Sequence, residues 1–175
     1  APGTQGGSAL QAELLVAAGD VSSVQKGSVF TFELRDDAIW HSAEGISGHA
    51  LDARDVYFSW SIYANPEVDC DEKRYLFEKI TGCEVIADHQ VRFFYESQYF
   101  GALSSLAEDM TLLPSHIYDL SDPDNPAHDP EATESEQAIA VNENPHNTLW
   151  VGLGPYRVTE WTQQWVQVER FDDYF

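Results

Sequence analysis

Two pairs of short alternating runs, each joined by a tight turn, constrain this chain more than any other feature. Glu84–Ala87 and Val91–Glu96 flank a turn at Asp88-His89, and Tyr156–Trp161 and Trp165–Phe171 flank one through Thr162–Gln164. Strands that follow one another across so short a connection pair antiparallel, because a parallel partner needs a long crossover. Val91, Phe93 and Tyr95 share one face of their strand. An earlier run, Val29–Arg35, alternates in the same way, with Phe30, Phe32 and Leu34 on one side and Thr31, Glu33 and Arg35 on the other, which reads as a half-buried strand. Ala38–His41 reads as a short extended piece, and Ser42–Leu51, with Gly45 and Gly48, as a loop.

Helical signals fall between the hairpins. Asp52 has the character of an N-cap, and Asp55 stands three residues on, where a capping box places Glu or Gln. The helix so begun is expected to run to about Ala64 and to stop at Asn65-Pro66. Val56, Tyr57, Trp60, Tyr63 and Ala64 fall on one face, and Phe58 with Ile62 forms a second apolar patch, so the helix is expected to be covered on more than one side. Glu72–Lys79 and Phe100–Glu108 are expected as short helices, and Pro114 suits the first turn of another ending near Tyr118. Helices clustered between hairpins, rather than alternating with strands as crossovers, indicate an α+β fold: an antiparallel sheet of hairpins packed with several short helices. Residues 1–27 are weakly patterned apart from Leu14–Ala18 and read as a leader, while 28–175 read as one unit. The chain opens at Ala1 in Gly/Ser-rich sequence with no basic segment before an apolar run, so a processed or trimmed start without a signal peptide is expected.

Charge narrows the partners. Thirty Asp and Glu against nine Lys and Arg leave a formal net charge of −21. Such a surface repels phosphate backbones and anionic lipid heads, so no nucleic acid and no membrane-surface partner is expected. The acids serve either solubility in a salty medium or attraction of cationic ligands. Asp119–Pro145 concentrates the pattern, with four of the eight prolines, eight acids and no Lys or Arg. Residues 119–145 are therefore expected to form an acidic surface excursion, with one short helix around Glu131–Ala140. No run approaches the 18 or so apolar residues of a membrane span, so no direct insertion of this segment is expected.

Catalytic and metal-binding patterns do not appear. There is no nucleophile elbow, phosphate loop, dinucleotide loop or HExxH pair. Gly152-Leu153-Gly154-Pro155 is too short for a dinucleotide loop, and Pro155 lacks a backbone N–H that such a loop would use. The six histidines fall in separate elements with no short-range pair, and no catalytic residue, metal site or cofactor is expected. Cys70 and Cys83 are the two cysteines; they bracket a short helical stretch and are either a disulfide or two free thiols.

Four stretches, in order over residues 28–175, carry a resemblance. They are Phe30–His41; Leu51–Ser59; Val85–Phe93 followed by Leu113–Tyr118; and Gly154–Trp161 with Glu169-Arg170 and Asp173-Tyr174-Phe175. Together they resemble the family 5 extracellular solute-binding proteins, the dipeptide- and oligopeptide-binding type of ABC importers. Ser42-Ala43 departs from that pattern where the family usually has Asp-Gly after the histidine, and Leu153 stands between glycines where the family has a small hydroxyl residue. The resemblance implies a first-lobe sub-domain of a bilobed, periplasmic-binding-protein type II-like architecture, not an enzyme. It implies a peptide or similar small solute held between two closing lobes, docking on an ABC permease, and a periplasmic or extracellular location, lipoprotein-anchored in a full-length protein. Tyr75 is the candidate ligand neighbour, with core packing as its alternative reading. The competing function is a stand-alone acidic interaction domain that uses the same fold.

Overall fold

The computed structural model describes residues 27–42, 45–148 and 150–175. The expectation of a leader concerns residues that, up to 26, lie outside these. Strand β1 (Ser28–Glu33) precedes helix α1 (Ala53–Ala64) and the short α2 (Asp71–Arg74), which are followed by the hairpin of β2 (Ile80–Ala87) and β3 (Gln90–Tyr95). A helical segment comes next, α3 (Ala102–Ser104) continuing as a π-helical turn (Ser105–Asp109), then α4 (Ser115–Tyr118) and α5 (Glu134–Asn142). A 3-10 turn (Pro145–Thr148) leads to the second hairpin, β4 (Tyr156–Trp161) and β5 (Val166–Arg170). The fold is α+β with antiparallel pairing throughout: one sheet in the order β1-β3-β2 and a separate β4-β5 ribbon.

Period-2 burial builds the sheet's inner face. Val91, Phe93 and Tyr95 on the central strand are each 2% exposed or less, while the residues between them are half-buried. Phe30 and Phe32 of β1 meet Tyr95 and Phe93 edge-to-face, with centroids 5.6 and 6.1 Å apart, the geometry that the ring quadrupoles favour. Helix α1 covers this face with Ala53, Val56 and Tyr63, and Phe77 and Ile80 complete the cluster.

The other side of α1 is also buried. Phe58 and Ile62 pack with Val68, with Ile117 and Tyr118 of α4, and with Ala138 and Val141 of α5. The helix is therefore sandwiched, which explains its apolar residues around most of its circumference. Burial corrects the expected faces in detail. Tyr57 is 43% exposed, Ala64 is exposed and Trp60 only half-buried, whereas Phe58, at 2% exposure, is core. Asp52 and Asp55 form the capping box in full, each side chain accepting from the other's backbone N–H. At the far end Arg74 donates to the carbonyls of Tyr63 (2.7 Å), Asn65 (2.6 Å) and Val68 (2.7 Å) and so closes the C-terminus of α1.

Other expected elements differ in extent. The helix expected over Glu72–Lys79 is the single turn α2 followed by further turns. The helix expected over Phe100–Glu108 starts at Ala102 and changes to π geometry at Ser105. The acidic stretch after α4 is exposed for most of its length, yet Asp122 and Asn125 are buried and α5, capped by Thr133 and Glu136, anchors it through Ala138 and Val141.

Candidate functional site

The four sequence stretches singled out above converge on one buried polar junction. Asp55 sits in the first turn of α1 at 1% exposure. Its Oδ2 accepts from the indole Nε1–H of Trp40 at 2.8 Å and from the Asp52 backbone N–H at 3.1 Å. Its Oδ1 accepts from the Ser115 N–H at 2.7 Å. Three donors and the positive end of the helix dipole replace the water that a buried carboxylate loses. Ser59, one turn further along α1, accepts from the Leu113 N–H at 2.8 Å and donates to the Asp55 carbonyl at 2.6 Å. Ser115 donates its hydroxyl to Asp122 Oδ2 at 2.7 Å, which ties the acidic stretch to α4.

His41 joins the last stretch to the first. Its backbone N–H donates to the Gly152 carbonyl at 2.9 Å and its Nε2 meets the Gly154 carbonyl at 2.8 Å, so Nε2 is the protonated nitrogen. The ring stands edge-on to Phe171 just beyond β5, with centroids 4.7 Å apart. The third stretch reaches the junction from the β2–β3 turn, where the Asp88 carbonyl accepts from the Ala53 N–H at 2.7 Å and the His89 carbonyl from the Leu34 N–H at 2.8 Å. Most of the polar groups here hold segments together; His41 Nδ1 is buried without a hydrogen-bond partner. The Ser59 hydroxyl bonds backbone groups and the Ser115 hydroxyl a carboxylate, so both are taken up in joining segments.

Two open clefts flank this scaffold. One, of about 400 Å³, lies between α1 and the acidic stretch and is lined by Tyr57, Trp60, Asp119, Asp129 and Gln137. The other, of about 480 Å³, is bounded by Tyr63, Cys70, Glu72, Lys73 and Thr111. Among the described residues no three His, Cys, Asp or Glu side chains gather as a metal site, and no helix is long and apolar enough to cross a membrane.

Tyr75 is the C-cap residue of α2 and is 64% exposed, outside the core of the described residues. Cys70 and Cys83 are free thiols. Cys70 Sγ lies 3.7 Å from the Ile62 carbonyl, and burial raises its pKa. Cys83 stands opposite Phe93 on β2, where burial pushes its thiol up to about 12. Sequence reading recognised Asp55 only as a helix cap; its role as the junction's hub was not visible, because its other partners lie 15 and 60 residues away.

A family model described as bacterial extracellular solute-binding proteins, family 5, middle region, matches residues 13–175. No curated protein matches the chain significantly. Among solved structures, the oligopeptide-binding protein AppA from Bacillus subtilis, in complex with a nonapeptide, superposes with a TM-score of 0.65 at 20% identity, over 83% of this chain and 25% of that one. DppA from Helicobacter pylori in complex with the peptide STSA gives 0.57 at 19% identity, over 84% and 28%. NikZ from Campylobacter jejuni in complex with Ni(L-His) gives 0.57 at 24% identity, over 84% and 25%. At these identities the likeness is one of fold, and the chain spans about a quarter of the length of each of these structures.

Proposed function

This chain belongs to the bacterial extracellular solute-binding proteins, family 5, and from that premise we propose that it forms a first-lobe segment of the peptide receptor of an ABC importer. Its family makes it a binding protein and not an enzyme. The segment supports the wall of the solute cleft, the second lobe closes over the ligand, and the closed form docks on the membrane permease outside the cytoplasm. Closure of this kind is a population shift driven by the solute's greater affinity for the closed form. Peptide is the favoured solute because two of the solved proteins named above hold peptides. Tyr75, exposed at the end of α2, remains the residue proposed to face the ligand.

The observation that carries this reading beyond the family match is the surface of the β4–β5 ribbon. Trp161, Trp165, Val166 and Val168 are 42–49% exposed, and β5 is exposed along its whole length. A lone two-stranded ribbon is marginal in water, and contiguous exposed apolar surface of this kind marks an interface. A receptor lobe continuing from this segment supplies the cover; a stand-alone acidic interaction domain leaves it bare. Calorimetric titration of the intact protein with a pool of short peptides tests the proposal. Saturable heat is expected, and silence with peptides alongside saturable heat with a nickel chelate would move the solute class away from peptides.

A further inference from the structure

Two imidazoles hold the loop that enters α1 against the acidic stretch that follows α4. His49, on the loop, stacks on His116 of α4 with ring centroids 4.7 Å apart and planes 23° from parallel. His49 Nδ1 meets the Ala50 carbonyl at 2.9 Å, and its Nε2 lies 3.4 Å from Asp124 Oδ2. His116 is only 6% exposed, and neither of its ring nitrogens has a hydrogen-bond partner. Both rings line a cleft of about 420 Å³ together with Ile46, Ile117, Asp124 and His146. The charged groups facing the pair are Asp55 from α1 and Asp122 and Asp124 from the acidic stretch, with His146 reaching the cleft from the 3-10 turn. Three histidines in one cleft raise the question of a metal ion, but no three ligating side chains come together among the described residues. Rings stacked face to face also do not aim their lone pairs at a common point.

We propose that the His49–His116 stack is a proton-operated latch, closed while at most one ring is protonated and opened when both are, so that Gly45–Ala50 parts from the segment 122–127 and the cleft widens. Two cationic rings in a partly buried site repel strongly, whereas one cation over a neutral ring is attractive. The rings load in order. Burial pulls His49 down, but the Ala50 carbonyl and the Asp124 carboxylate outweigh it and leave its pKa raised. Burial, then the charge of His49, holds His116 below the usual imidazole value. The sign for His116 follows: the opened form binds its proton more readily, so the closed form loses stability as pH falls below about 6.5. His49 works in the opposite sense, stabilising the closed form most fully below that value and losing its contribution as pH rises through its raised pKa.

The test is proton NMR of the histidine ring protons, with amide hydrogen exchange, on the intact protein between about pH 8 and pH 5. His49 is expected to titrate first. Protection of residues 45–50 and 122–127, corrected for intrinsic exchange, is expected to fall by up to about tenfold per pH unit as pH drops below about 6.5, where the opened form holds the His116 proton and the closed form does not. In His49→Gln the fall should weaken and the His116 titration move up part of the way towards about 6.5, burial still holding it down. Unchanged protection down to pH 5 in the unsubstituted chain would overturn the latch, as would a His116 titration indifferent to His49→Gln.

Discussion

The indole N–H of Trp40 donates to the buried carboxylate of Asp55 across 2.8 Å, joining the segment that leaves β1 to the first turn of α1. Trp40 is 1% exposed and Asp55 likewise, so neither group has water as a substitute partner. Trp40→Phe keeps most of the ring and removes one donor; it is expected to cost about 1–3 kcal/mol in urea unfolding. Asp55→Ala strands the Trp40 and Ser115 donors together and should cost more than Trp40→Phe. Equal costs for the two would show that the carboxylate is not the hub.

The two sides of α1 can be told apart by truncation. Phe58→Ala empties the second core and should cost about 3–5 kcal/mol. Trp60, half-buried at the edge of the first core, should cost less despite its larger ring. The reverse order in denaturant titrations would put α1 in the wrong rotation.

Arg74 donates to three carbonyls at the end of α1 and beyond it. Arg74→Ala is expected to lower stability by about 2–3 kcal/mol, since charge-assisted bonds to buried acceptors are among the stronger ones. Arg74→Lys should recover only part of this, because an ammonium cannot fork between separated carbonyls. Full recovery by Lys would reduce the site to simple charge.

Both cysteines are free, and the Cys83 thiol is raised to about 12 by burial. At about pH 8 only about one molecule in ten thousand carries that thiolate. Iodoacetamide should therefore leave Cys83 unlabelled in the folded chain and label it on unfolding, as read by mass spectrometry. Reductant should not change the melting temperature; a fall would reveal a bridge between Cys70 and Cys83.

A net charge of −21 places like charges within a Debye length of one another over much of the surface. Raising sodium chloride from about 0.05 to 1 M should raise the melting temperature by screening this repulsion. A flat response would mean that the acids are compensated locally, and the few ion pairs of the described residues, such as Arg35–Asp37 and Arg157–Glu169, would then matter more than their exposure suggests.

Asp52 as N-cap, the alternation of Val91, Phe93 and Tyr95, and the β4–β5 turn were all legible because each depends on residues two to four apart. The attachment of β1 to β3 was not: the Phe30–Phe93 register joins positions whose local sequence says only that each has an apolar face. The rotation of α1 was misread at Tyr57 and Ala64, both exposed, for a related reason, since a helix with apolar residues on most sides offers no single moment to orient it. The junction at Asp55 and the His49–His116 stack were invisible for want of any short-range spacing.

The amino-acid sequence determined where strands, caps and turns form and that the hairpins pair antiparallel, because steric and hydrogen-bonding preferences over a few residues suffice for that. It also carried the family resemblance, in the order of its stretches. Tertiary structure alone decided which apolar faces are buried, which donors reach the Asp55 carboxylate and which histidines meet. Those outcomes depend on how distant surfaces fit against each other and exclude water, and no spacing along the chain encodes that fit.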